Sequence, residues 1–69
     1  MEIVFDRAFY SASAVKRAIR DYKNLADFSC LEKKGKLKVK ITNIRHEELK
    51  PLFREEFSNC VLAWTGALK

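Results

Sequence analysis

The residues with chemistry to offer in this chain are one histidine, two cysteines, a few hydroxyls and a ladder of lysines. His46 stands beside Glu47 and Glu48, residue types that elsewhere hold metals or move protons. Neighbours in sequence do not converge on one point of a helix, and no second ligand is placed beside them. The expectation is a surface histidine and no metal site. Cys30 and Cys60 are too few for a disulfide scaffold and lack a metal-binding spacing. Both fall at positions predicted to face the core, where a free cysteine behaves as a small hydrophobe. A single Cys30–Cys60 bridge is the alternative. Ser11 and Ser13 have no evident histidine base and are explained by helix capping. There is no glycine-rich phosphate loop. No catalytic residue and no cofactor is therefore expected, and the chain is not expected to act as an enzyme.

The lysine ladder is the sharpest pattern. Residues 36–41 read Lys-Leu-Lys-Val-Lys-Ile, so Leu37, Val39 and Ile41 share one face of a strand. Lys36, Lys38 and Lys40 share the other. The sheet is thus predicted to be buried on one side and basic on the other. With a net charge of +5, this face is a candidate surface for nucleic acid. A single-stranded nucleic acid would also want exposed aromatics for its bases, and none alternates with these lysines. The second basic cluster, Lys16, Arg17, Arg20 and Lys23, falls on the outer side of a helix, across the molecule from the ladder. A charge so divided suits solubility better than one binding footprint, and long lysine stems can shield apolar neighbours such as Val4 and Leu31.

The elements that carry these residues follow from periodicity. Glu2 to Asp6 alternates and predicts a short strand with Ile3 and Phe5 inward. Ser11 is an N-cap, with Tyr10 and Val15 at hydrophobic-staple spacing. Ala12, Val15, Ala18, Ile19, Tyr22 and Ala26 form the apolar stripe of an amphipathic helix. Phe28, Cys30 and Glu32 alternate with Ser29, Leu31 and Lys33 in a second strand. Lys34-Gly35 turns the chain into the lysine strand, residues 36–42. In the last segment Leu49, Leu52, Phe53, Phe57, Cys60, Val61 and Trp64 project onto one face. Pro51 is predicted to sit in the first helical turn, with a looser turn over 45–50 and a stop at Gly66.

The order strand, helix, strand, strand, helix predicts an α+β fold: a two-layer βαββα sandwich. Its three-stranded sheet is expected to be mixed, in the order 1-3-2, with both helices on one face. Sixty-nine residues make a single domain, 1–69, and 48% hydrophobic residues are enough to argue against disorder. The first residues lack the pattern of a signal peptide and no stretch reaches membrane-spanning length, so a cytoplasmic protein without a membrane partner is expected.

The run Phe5-Asp6-Arg7-Ala8-Phe9-Tyr10-Ser11, then Ala14-Val15-Lys16-Arg17-Ala18, then the lysine-rich hairpin, resembles the small HxsD-type proteins of the bacterial His-Xaa-Ser system. The tail Phe57, Asn59 and Leu62 is similar to that family's ending, whereas Ala63-Trp64-Thr65-Gly66 departs from it. The resemblance implies an accessory protein beside peptide-modifying enzymes, and makes Asn59 and Leu62 candidate contact residues.

The functional expectation is a non-catalytic binding module, dimeric or engaging a peptide or protein partner. The first strand would be a sheet edge with unpaired backbone groups. Ile3, Val4 and Phe5 on that strand, together with the outward-facing Leu62, are the candidate partner-binding residues. The alternative is a nucleic-acid-binding domain using Lys36, Lys38 and Lys40.

Overall fold

The computed structural model describes residues 1–68. The elements run β1 (Glu2–Asp6), α1 (Ala12–Tyr22), β2 (Asp27–Lys33), β3 (Lys36–Thr42) and α2 (Lys50–Ala67), with a single 3₁₀ turn at Glu47–Leu49. The strands lie in the order β1-β3-β2. Both pairings are antiparallel, so the sheet is not mixed. The crossover helix does make β1 and β2 run the same way, but β3 lies between them and no parallel pair forms.

β3 alternates without a break: Leu37, Val39 and Ile41 are buried and the four residues between and beside them are exposed. Its hairpin with β2 turns on Lys34 (φ 52°) and Gly35 (φ 76°). Two consecutive positive φ values define the turn whose twist matches that of paired strands, and Gly35 supplies one of them without steric cost.

α1 starts as its sequence demands. The Ser11 hydroxyl accepts the Ala14 amide at 3.0 Å. Tyr10 packs its ring edge-on against Phe5, 5.1 Å between centroids, which fixes the angle at which the helix leaves β1. The buried stripe is Ala14, Val15 and Ala18. Ala26 is buried too, but beyond the end of the helix. Ala14 lies outside the predicted stripe yet is fully buried.

α2 begins one residue before Pro51, so the proline lies in the first turn where its missing N–H costs nothing. Phe53, Phe57 and Val61 line the core at intervals of four, followed by Thr65, whose hydroxyl bonds the Val61 carbonyl at 2.8 Å. Leu52 is 55% exposed, because the buried stripe is narrower than the predicted face. The helix passes through Gly66 rather than stopping there. Phe57 is the centre of the molecule. Its ring meets those of Phe5, Tyr22, Phe28 and Phe53, tying both helices to the sheet.

The cysteines depart from expectation. Cys30 is exposed, Cys60 half-buried, and both are free thiols. Cys30 does point to the helix side, opposite the buried Val39. The helix layer reaches β2 only at Phe28, whose ring stacks on Phe57, and the rest of that strand is exposed.

Candidate functional site

The sheet offers three surfaces: one open face and two edges. The bonding at each edge follows from the ladder. Met1 and Ile41 exchange both backbone hydrogen bonds, at 3.0 and 2.7 Å, and the Arg7 amide bonds the Gly35 carbonyl. In an antiparallel pair such residues alternate with ones whose groups point away. Ile3 and Phe5 therefore bond β3, while Glu2, Val4 and Asp6 turn their N–H and C=O groups to the outside of β1. Part of that edge is already engaged. Arg54 donates to the Glu2 carbonyl at 3.0 Å, and the Asp6 carbonyl accepts the Phe9 and Tyr10 amides. Among the described residues, none bonds the outward N–H or C=O of Val4.

The odd residues of β3 are spent on β1, so its even residues bond Lys33, Leu31, Ser29 and Asp27. Phe28, Cys30 and Glu32 then face outward from β2. Among the described residues, no side-chain, loop or cap hydrogen bond ends on the backbone of these three. β2 is the freer edge.

The open face is a grid set by register. Val4, Lys38 and Leu31 stand in one row across the three strands. Val4 is 51% and Leu31 60% exposed, and they belong to a shallow apolar groove that Lys33, Lys34, Lys36 and Lys38 border. Glu2, Lys40 and Ser29 form the next row, and Asp6, Lys36 and Lys33 the row on the other side. The lysines are thus interleaved with carboxylates: Glu2 lies 3.9 Å from the Lys38 ammonium, and Asp6 is paired in register with Lys36. No aromatic side chain stands on this face, since the rows contain none.

The four candidate contact residues do not form one surface. Ile3 and Phe5 are buried, contributing only their backbones to the β1 edge. Val4 is on the open face. Leu62 is exposed on α2, in the other layer. The most exposed large apolar side chain is Phe9, at 73%, which sequence reasoning passed over as part of a connection. The turn explains it. The Asp6 side chain accepts the Ala8 amide at 2.9 Å, the chain folds tightly, and Tyr10 rather than Phe9 meets the core.

Other side chains are tied to structural duties. Asp27 accepts from Asn43 at 3.0 Å and from Arg45 at 2.8 Å, and these two hydrogen bonds hold its carboxyl below the usual range. Burial pushes the Cys30 thiol up, and does the same to Cys60, where the Asp21 carboxylate adds to the effect. Neither sulfur is primed as a nucleophile. His46 is exposed near Glu48. Among the described residues, no group of three or more His, Cys, Asp or Glu could hold a metal, and no helix is long and apolar enough to cross a membrane.

No protein family, curated protein or solved structure matches the chain.

Proposed function

We propose that the chain is a non-catalytic binding module that engages a protein or peptide partner through its sheet. The observation that carries this reading is the exposed Val4–Lys38–Leu31 row lying between two edges with free backbone groups. An extended segment added to an edge gains main-chain hydrogen bonds, and alternate side chains would settle on the apolar row. The resemblance to HxsD-type proteins supports a place beside a peptide-modifying enzyme in a bacterium. The enzymatic alternative draws no support from the side-chain chemistry: burial raises the pKa of both thiols, and the histidine is exposed.

The nucleic-acid reading rests on Lys33, Lys36, Lys38 and Lys40 sharing a face. Carboxylates in the same grid and the lack of stacking rings weaken it. Salt separates the two. Capture of partners from bacterial lysate at low and high salt, with wild type and Val4→Glu/Leu31→Glu, is the test. A protein partner retained at high salt and lost with the double variant supports the binding module. Capture of nucleic acid that falls steeply with salt, as counterion release requires, would replace it with the alternative.

A further inference from the structure

β2 is an unprotected edge, and its own sequence supplies a matching strand. We infer that two copies of the chain pair β2 to β2, antiparallel about a two-fold axis at Cys30, to make one six-stranded sheet. This extends the binding-module reading to self-association.

The register is fixed by the backbone. Only outward-facing residues can exchange ladder bonds with a partner, so Phe28, Cys30 and Glu32 must meet Phe28, Cys30 and Glu32 of the second copy. Among symmetric antiparallel registers, the one centred on Cys30 pairs all seven residues of β2. It sets Cys30 against its own copy, Phe28 against Glu32, and Ser29 against Leu31. It also sets Asp27 against Lys33 at both ends of the strand.

Charge favours this occupant. Lys33 makes no ion pair among the described residues, and in its own sheet it lies beside Lys36. A second copy brings Asp27, whose carboxylate already accepts from Asn43 and Arg45, to the end of that basic row, and opposite charges directly across a ladder stabilise it. Space is also available. Cys30 and Glu32 are exposed on the helix side, so beyond Phe28 the helix layer leaves the β2 edge uncovered and two edges can approach to strand spacing. On the open face, the apolar row of Val4 and Leu31 would continue to Ser29 of the second copy. A contact limited to one strand edge is small, below roughly 1,200 Å², so the dimer dissociates on dilution.

The test uses the purified chain alone, so it can fail while partner binding survives. In Cys60→Ala, Cys30 is the sole thiol. Residues across a ladder-bonded pair have Cα atoms about 5.5 Å apart, inside the range a disulfide spans. Diamide takes up two electrons and two protons as two Cys30 thiols become one S–S bond. The expected product is a covalent dimer of twice the 8.0 kDa mass, formed in concentrated protein and suppressed by dilution. Sedimentation equilibrium supplies the second measurement. Cys30→Pro removes an outward N–H that β3 does not use, and should weaken association roughly tenfold or more. Lys33→Asp, which leaves the backbone untouched, should weaken it in the same direction. Wild type that stays monomeric at high concentration overturns the inference. So does a dimer that neither variant weakens. A monomer that instead takes an extended peptide along β2 would assign the edge to another partner and overturn the second copy.

Discussion

The indole nitrogen of Trp64 donates to the Asp21 carboxylate at 2.8 Å, joining the last turns of α2 to the end of α1. The Arg17 guanidinium lies over the same indole ring, 5.2 Å from its centroid. The Cys60 thiol sits 3.8 Å from the same carboxylate oxygen. This is a clasp between two helices whose sequences are more than forty residues apart at the point of contact.

Trp64→Phe keeps a ring for Arg17 and loses the hydrogen bond. The expected cost is about 1 kcal/mol, less than is usual for a bond to a charged group because the pair is solvent-exposed. Urea denaturation of Trp64→Phe, Asp21→Ala and the double variant measures it. A coupling indistinguishable from zero would mean that the clasp does not contribute to stability.

Val39→Lys is expected to unfold the domain, since Val39 is fully buried at the centre of the middle strand and nothing there could pair an ammonium. Lys38→Val, one residue away, faces the open side between Val4 and Leu31. It should stay folded and associate more strongly through the apolar row it completes. Circular dichroism and light scattering on the two variants give opposite readouts, and a folded Val39→Lys would contradict the burial of that face.

Asp27 gives stability a pH dependence of defined sign. Hydrogen bonds from Asn43 and then Arg45 lower its carboxyl in the folded chain. The folded state therefore binds fewer protons there than the unfolded state. The stabilisation is present above the unfolded value of about 3.9 and is lost as pH falls through the lower folded value. Asp27→Asn should narrow the difference in urea midpoint between neutral and strongly acidic pH. An unchanged difference would show that the carboxylate contributes nothing to the acid limb.

Some of this architecture is legible in the residues because the physical constraint is local. The alternation of Leu37, Val39 and Ile41 fixes a face, Ser11 caps where it stands, and Pro51 fits only a first turn. The strand order 1-3-2 follows from a crossover and a tight hairpin. What escapes the sequence is extent and long-range contact. Alternation puts Cys30 on the helix side, but cannot say that the helices end before reaching it. The Arg54 contact with the Glu2 carbonyl joins residues 52 apart, and no periodicity announces it. Phe9 and Tyr10 are adjacent aromatics, and only the turn at Asp6 decides which one turns inward. The candidate surfaces were accordingly legible as types, an open basic face and a free edge, while the difference between the two edges was not.

The position of β3 between its neighbours also orders events as the chain is made. β2 and β3 are joined by two residues, a closure that takes microseconds. β1 pairs only with β3, between residues 30 to 38 positions apart in sequence. Loop closure on that scale is entropically costly and is repaid only once the hairpin exists. During synthesis β1 is therefore the first strand to emerge and the last to find its place. Until β3 emerges, Ile3 and Phe5 have no sheet partner to bond.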